Sequence, residues 1–201
     1  SNYYNHGNLL NIYSKTSSFS PLIDHPKFYN NKKDIEIVNK IELPSNYFVV
    51  HCETQSKQRS WGSNKWVHLI DYITSELQIN VIEIGNKSDL NIFNNLKYEN
   101  YCGQLSILSA GELIKRSSMF IGLDSGPAHI ANAVGTYGII LMGDYYQFKN
   151  YQPFSGGYMT GDNATIIRSK GQVSSISTEN VKNCLTNIIQ KQNTNSNLVF
   201  H

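Results

Sequence analysis

Residues 119–133 read Met119-Phe120-Ile121-Gly122-Leu123-Asp124-Ser125-Gly126-Pro127-Ala128-His129-Ile130-Ala131-Asn132-Ala133. The unbroken apolar run at its start predicts a strand buried on both faces, as in a parallel sheet. Asp124 and Ser125 then stand at the carboxyl end of that strand. Gly126 lets a ligand approach the backbone, and Pro127 suits the first turn of a helix, where its missing N–H is not needed. A helix starting there turns its free N–H groups and positive dipole end toward the loop, a ready place for a phosphate or diphosphate. His129 falls in the first turn and can donate to the same anion, while Ala128, Ala131, Ala133 and Gly135 let the helix lie close to the sheet. The same residues also suit a plain helix start, with Ser125 as N-cap and Asp124 as dipole partner. The convergence of Asp, Ser, Gly and His on one strand end favours a ligand site.

Outward from this segment the alternation repeats. Residues 47–52, 81–84, 98–102, 138–142 and 164–167 read as further strands. Between them Trp66, Leu69, Ile70, Ile73 and Leu77 mark one helix face, and Leu90, Phe93 and Leu96 mark a short helix. Residues 110–115 and 127–134 are helical, and Val181, Leu185, Ile188 and Ile189 stripe a closing helix. Strands alternating with helices predict an α/β fold: a Rossmann-like parallel sheet with helices on both faces. Residues 1–45 carry little periodicity and read as a lead-in or linker, with one short helix near residues 34–41. Residues 46–192 form the domain, and residues 193–201 read as a flexible tail.

The arithmetic agrees with one sizeable domain. The chain has 201 residues, 40% hydrophobic and 11% aromatic, with a net charge of +2. That composition excludes general disorder and argues against a protein that coats nucleic acid or an anionic membrane. Asn is abundant at 24 residues, which we read as compositional rather than mechanistic. Cys52, Cys102 and Cys184 form an odd set without a CxxC pair, so reduced thiols are expected and neither a disulfide framework nor a zinc knuckle is encoded. With no signal peptide or apolar span in the sequence, the expected location is cytoplasmic, with a peripheral position at the inner face of the membrane as an option.

In an open parallel sheet ligands bind beyond the carboxyl ends of the strands. The loop after the first strand concentrates Lys57, Arg59 and Lys65, of which Arg59 can hold a phosphate in bidentate fashion, with Trp61 and Trp66 as core anchors. After the second strand comes Gly85-Asn86-Lys87-Ser88-Asp89, where Asp89 or Glu83 can accept from a ribose, or Ser88 and Asp89 can simply start a helix. Neither GxGxxG nor GxxxxGK[ST] occurs, against a nicotinamide enzyme and a P-loop NTPase. His6, His25, His51, His68 and His201 lack ligand spacing and read as surface or core residues; no carboxylate pair is placed for a metal.

Taken in order, Arg59-x-Trp61, Lys65-Trp66, Gly103-Gln104-Leu105-Ser106, Gly122-Leu123-Asp124-Ser125-Gly126-Pro127-Ala128-His129, Met142-Gly143-Asp144 and Tyr151-Gln152-Pro153-Phe154 resemble the C-terminal half of glycosyltransferase family 9, the heptosyltransferases of lipopolysaccharide core synthesis. The resemblance spans about residues 45–190. It implies one half of a GT-B fold that binds a nucleoside-diphosphate sugar donor without a metal or other cofactor. It places Arg59 where the family carries a phosphate-contacting Lys. Ser125, Gly126, Pro127 and His129 fall at the diphosphate-binding helix start, Asp124 beside the transferred sugar, Asp89 by the ribose and Leu105 by the base. The implied partners are the nucleotide-sugar donor and a glycan or glycolipid acceptor, with no nucleic acid. In the family an N-terminal domain binds the acceptor and supplies the carboxylate base of an inverting displacement. The 45 residues ahead of the first strand do not spell such a domain, so a missing N-terminal domain or partner chain is expected. The alternatives are a stand-alone nucleotide- or sugar-binding module without catalysis, and a sugar-nucleotide epimerase of related architecture.

Overall fold

The run Tyr47-Phe48-Val49-Val50-His51 is buried at every position and forms β1 (Tyr47–His51), the strand around which the sheet is arranged. The computed structural model describes residues 7–20, 22, 26–54, 56–90, 95–144 and 151–197. Their other strands are β2 (Asn80–Glu83), β3 (Glu99–Asn100), β4 (Met119–Leu123), β5 (Gly138–Met142) and β6 (Ala164–Arg168). The sheet is wholly parallel, in the order β3-β2-β1-β4-β5-β6. The chain runs outward from β1 to β3, returns to pair β4 with the other edge of β1, and runs outward again to β6.

Alternate side chains of these strands fill two separate layers, as a sheet covered on both faces requires. Phe48, Val50, Ile121, Leu123 and Leu141 pack with α3 (Ser63–Asp71) and α7 (Thr178–Asn197) through Trp66, Leu69, Ile70, Val181 and Leu185. Tyr47, Val49, Phe120, Ile140 and Met142 pack on the opposite face with α4 (Ile107–Arg116), α5 (Gly126–Val134) and α6 (Gly157–Thr160), through Leu113, Ile114, Ala128, Ala131 and Tyr158. The apolar stripe from Trp66 to Ile73 is helical, widening after α3 into a π-type turn over Tyr72–Glu76 that Leu77 closes as its C-cap.

The lead-in is folded onto this domain. It carries α1 (Leu9–Thr16), which its weak periodicity did not announce, and α2 (Lys32–Asn39), close to the predicted helix. Asp34 of α2 accepts hydroxyl bonds from Ser106 and Ser109 at the start of α4, and Arg116 reaches Asn39 at 2.8 Å. Gly111 of α4 is needed for this contact, since a Cβ there would stand 2.3 Å from the Phe28 ring. At the other end, α7 continues to Asn197, past residue 192, because Asn193-Thr194-Asn195-Ser196-Asn197 contains no helix breaker. The predicted short helix around Phe93 falls partly outside the described residues. No described helix is long and apolar enough to cross a membrane.

Candidate functional site

The seam between β1 and β4, where the strand order reverses, is where an open parallel sheet parts its loops and leaves a crevice. A cleft of about 310 Å³ lies there. Its walls are His51, Glu53, Thr54 and Arg59 after β1, Asn86 after β2, and Ser125, Gly126 and Pro127 after β4. Three loops that are distant in sequence thus meet at one place.

The β4 wall is the start of α5. Ser125 occupies the N-cap position in extended conformation, but its side chain does not cap the helix. Its hydroxyl lies 3.1 Å from His51 Nδ1 and donates to the Leu123 carbonyl at 3.2 Å. The plain capped-helix reading therefore fails, and the N-terminal turn of α5 faces the cleft with its dipole unanswered by that hydroxyl. His51 is buried at 7% exposure, and burial pushes its pKa down to about 4 despite the Glu53 carboxylate nearby. It is neutral at physiological pH.

Arg59 closes a short 3-10 turn over Lys57–Arg59, and its guanidinium donates to the Asp124 carbonyl at 3.2 Å. The contact spans the seam and holds a fixed positive charge at its rim. Asp124 lies deeper. Burial raises its pKa, opposed by His129 and Arg59, and its carboxylate stands 4.0 Å from His129 Nε2. Burial lowers the pKa of His129 against the pull of Asp124, and its ring packs on Phe154 at 4.8 Å. Arg59 and Asp124 also border a second, smaller pocket with Met142, Gly143 and Asp144 after β5.

Of the residues singled out from the sequence, Arg59, Ser125, Gly126 and Pro127 line the cleft, with Asp124 and His129 beside it. Asp89 does not line it: its side chain is 65% exposed, 3.7 Å from the Lys87 ammonium, and borders a neighbouring chamber. Leu105 is half-buried against the core layer of α4 and α5; its loop reaches the cleft wall through Gly103, whose N–H donates to the Gly85 carbonyl at 2.8 Å. Lys65 is spent elsewhere, its ammonium bound to the carbonyls of Ser174 and Ile176. Glu83 is buried, its pKa raised by that burial, and it accepts from Ser88 at 2.5 Å as a turn anchor. Trp61 and Trp66 are core residues as expected, in edge contact at 4.9 Å.

Sequence reading missed His51, Glu53, Thr54 and Asn86. The position of His51, last in a buried strand and first at a ligand-bearing edge, is the signal that could have found it. Among the described residues no group of three His, Cys, Asp or Glu side chains is placed to hold a metal ion.

Comparison with known proteins bears on the family and the fold. The sequence profile of glycosyltransferase family 9 (heptosyltransferase) matches residues 10–177. Lipopolysaccharide heptosyltransferase 3 of Escherichia coli is 31% identical over 106 residues, covering 49% of this chain and 31% of that protein. A family 9 glycosyltransferase from Veillonella parvula superposes with a TM-score of 0.66 at 17% identity, over 87% of this chain and 55% of that one. E. coli ADP-heptose lps heptosyltransferase II gives 0.66 at 16% identity, over 88% of this chain and 57% of that one. These structures share the fold; the chain spans about half their length and about a third of the curated relative. With the profile matching most of its length, the chain belongs to glycosyltransferase family 9.

Proposed function

We propose that this chain is the donor-binding half of an inverting, heptosyltransferase-like glycosyltransferase of lipopolysaccharide or surface-glycan synthesis, and that its cleft holds a nucleoside-diphosphate sugar. The observation that carries the reading is the seam cleft itself, where the N-terminus of α5 and the Arg59 guanidinium face one space. Both stabilise a diphosphate, and both stabilise it more as charge builds on the departing nucleoside diphosphate. Removing one such donor costs roughly 10² to 10³ in rate. We assign Asp124 to the transferred sugar and His129, whose Nε2 stands 4.0 Å from the Asp124 carboxylate, to the diphosphate side with Ser125, Gly126 and Pro127. We assign the acceptor, a glycan or glycolipid, and the carboxylate base to the other half of a GT-B enzyme, as the family resemblance implies. The site needs no metal, because its positive potential is built from protein groups. We place the reaction in the cytoplasm, beside the membrane that carries a lipid-linked acceptor.

A related structure is described as heptosyltransferase WaaC with ADP, so ADP is the first ligand to try. Titration calorimetry is expected to show ADP binding that Arg59→Ala weakens about tenfold or more, as loss of a charged hydrogen bond does. His129→Ala is expected to weaken it less, since its Nε2 is turned toward Asp124. Unchanged affinity in both variants would reject the site. The second reading is a module that binds the donor without transferring sugar. Product analysis with a nucleoside-diphosphate sugar and a glycan acceptor separates the two.

A further inference from the structure

A serine at an N-cap normally turns its hydroxyl to a free N–H of the first helical turn. Ser125 stands at the N-cap of α5 and does not. The choice of donor there is narrow. Pro127, second in the helix, has no N–H, so a cap could be taken only from Ala128. The Ala128 N–H instead leans on the Ser125 carbonyl at 3.1 Å, an acceptor that the His129 N–H shares at 3.3 Å. A hydroxyl bonded to Ala128 would sit over the first-turn amides, on the spot that a phosphate oxygen needs.

What holds the hydroxyl away comes from β1. The register of β1 and β4 sets His51 beside Gly122, so the chain just past β4 lies over the end of β1. There the Ser125 hydroxyl donates to the Leu123 carbonyl at 3.2 Å, and with that proton used it accepts the Nδ1–H of His51 at 3.1 Å. Its proton and one lone pair are thus committed away from the helix. The ring that makes the tether is itself confined. It is buried, and the turn after β2 closes on its other edge, where a Cβ on Gly85 would stand 3.5 Å from His51 Cδ2.

Resting on the donor-binding reading above, we infer that His51 is a positioning residue: by tethering the Ser125 hydroxyl it keeps the first turn of α5 uncapped for the diphosphate of the donor. Released, the hydroxyl becomes an internal competitor of the phosphate. Its strength is that of one N-cap hydrogen bond, about fivefold in affinity.

The test is calorimetry of the chain with ADP and with inorganic pyrophosphate. His51→Leu removes the tether and is expected to weaken both ligands about fivefold. His51→Asn, whose amide nitrogen can replace Nδ1 as donor, is expected to recover the affinity. So is His51→Leu combined with Ser125→Ala, which leaves no hydroxyl to cap the helix. A merely structural role of the ring gives no recovery when a second side chain is cut away. A double variant as weak as His51→Leu, or weaker, therefore overturns the inference, and so does wild-type affinity in His51→Leu alone. Should His51→Leu fail to fold, the wild type decides. Proton–nitrogen correlation spectra of its imidazole are expected to show the Nδ1–H tautomer both free and saturated with pyrophosphate, and the Nε2–H tautomer in either state overturns the inference. Each of these results leaves the donor-binding reading standing as long as Arg59→Ala still weakens ADP. Absence of ADP and pyrophosphate binding in the wild type removes that reading and the inference with it.

Discussion

His51 Nδ1 and Ser125 Oγ meet at 3.1 Å across the seam between β1 and β4, joining the last residue of one strand to the helix start that follows the other. The pair fixes the two loops that carry most of the cleft. Because the Ser125 hydroxyl donates to the Leu123 carbonyl, the imidazole supplies the Nδ1–H.

Acid should loosen this seam. The pKa of His51 falls from 6.5 to about 4 because burial disfavours the charged ring. Between those values the unfolded chain takes a proton that the folded chain does not. The contribution of His51 is therefore complete above pH 6.5 and lost as pH falls toward 4, by about 2 kcal/mol at pH 4.5. Asp124 and Glu83, whose pKa values are raised, act in the opposite sense, so the comparison must be internal. Urea unfolding of wild type and His51→Asn at pH 7 and pH 4.5 should show the wild type losing more stability than the variant. Parallel losses would mean that the ring is not held neutral.

Lys65 and Trp61 both donate to the Ile176 carbonyl, and Lys65 also reaches Ser174, so the charge of Lys65 ties the 173–177 segment to α3. Lys65→Met is expected to cost about 1.5 to 3 kcal/mol of stability, the usual effect of hydrogen bonds to a charged group. ADP affinity should be unchanged. A large drop in affinity without a shift in the unfolding midpoint would return Lys65 to the ligand.

Gly143 follows β5 at the rim of the Arg59–Asp124 pocket, and a Cβ there would lie 2.3 Å from the Gly171 carbonyl oxygen and 2.9 Å from the Val173 nitrogen. Both are backbone atoms and yield little. Gly143→Ala should destabilise by about 2 kcal/mol or more through overpacking. Thermal denaturation at the wild-type midpoint would show that the two segments do not approach so closely.

A chelator should leave ADP binding intact, because the positive groups facing the cleft are Arg59 and the N-terminal turn of α5. Titrations with EDTA and with added magnesium are expected to agree within error. Binding abolished by EDTA would transfer the electrostatic role to a metal.

The strands and the β4–α5 turn were legible because each is a local pattern. Gly138-Ile139-Ile140-Leu141-Met142 has no polar residue, and β5 occupies those five positions. Gly-Pro after Asp-Ser announces a helix start from adjacent residues alone. What stayed hidden depended on pairing between distant segments. His51 looked like any core histidine until β4 was laid beside β1 and brought Ser125 to it. Glu53 has nothing in its own neighbourhood to mark it, since its partners are backbone groups of another loop. Lys65 was misread for the converse reason: a basic residue in a basic loop, committed to carbonyls over a hundred positions away. α1 was missed because its buried contacts are few, Ile12 being its one buried large apolar side chain.

The order of strands has a further consequence, for assembly. β1 and β4 pair Phe48 with Met119, about seventy residues apart, while β1–β2 and β4–β5 join strands that are closer along the chain. The sheet consists of two more local halves stitched together along one long-range line, and closing that line carries the largest loop-entropy cost in the sheet. The cleft lies on the stitch. A ligand bridging Arg59 and the α5 turn therefore fastens the two halves to each other, and by mass action its concentration governs how often the molecule opens there.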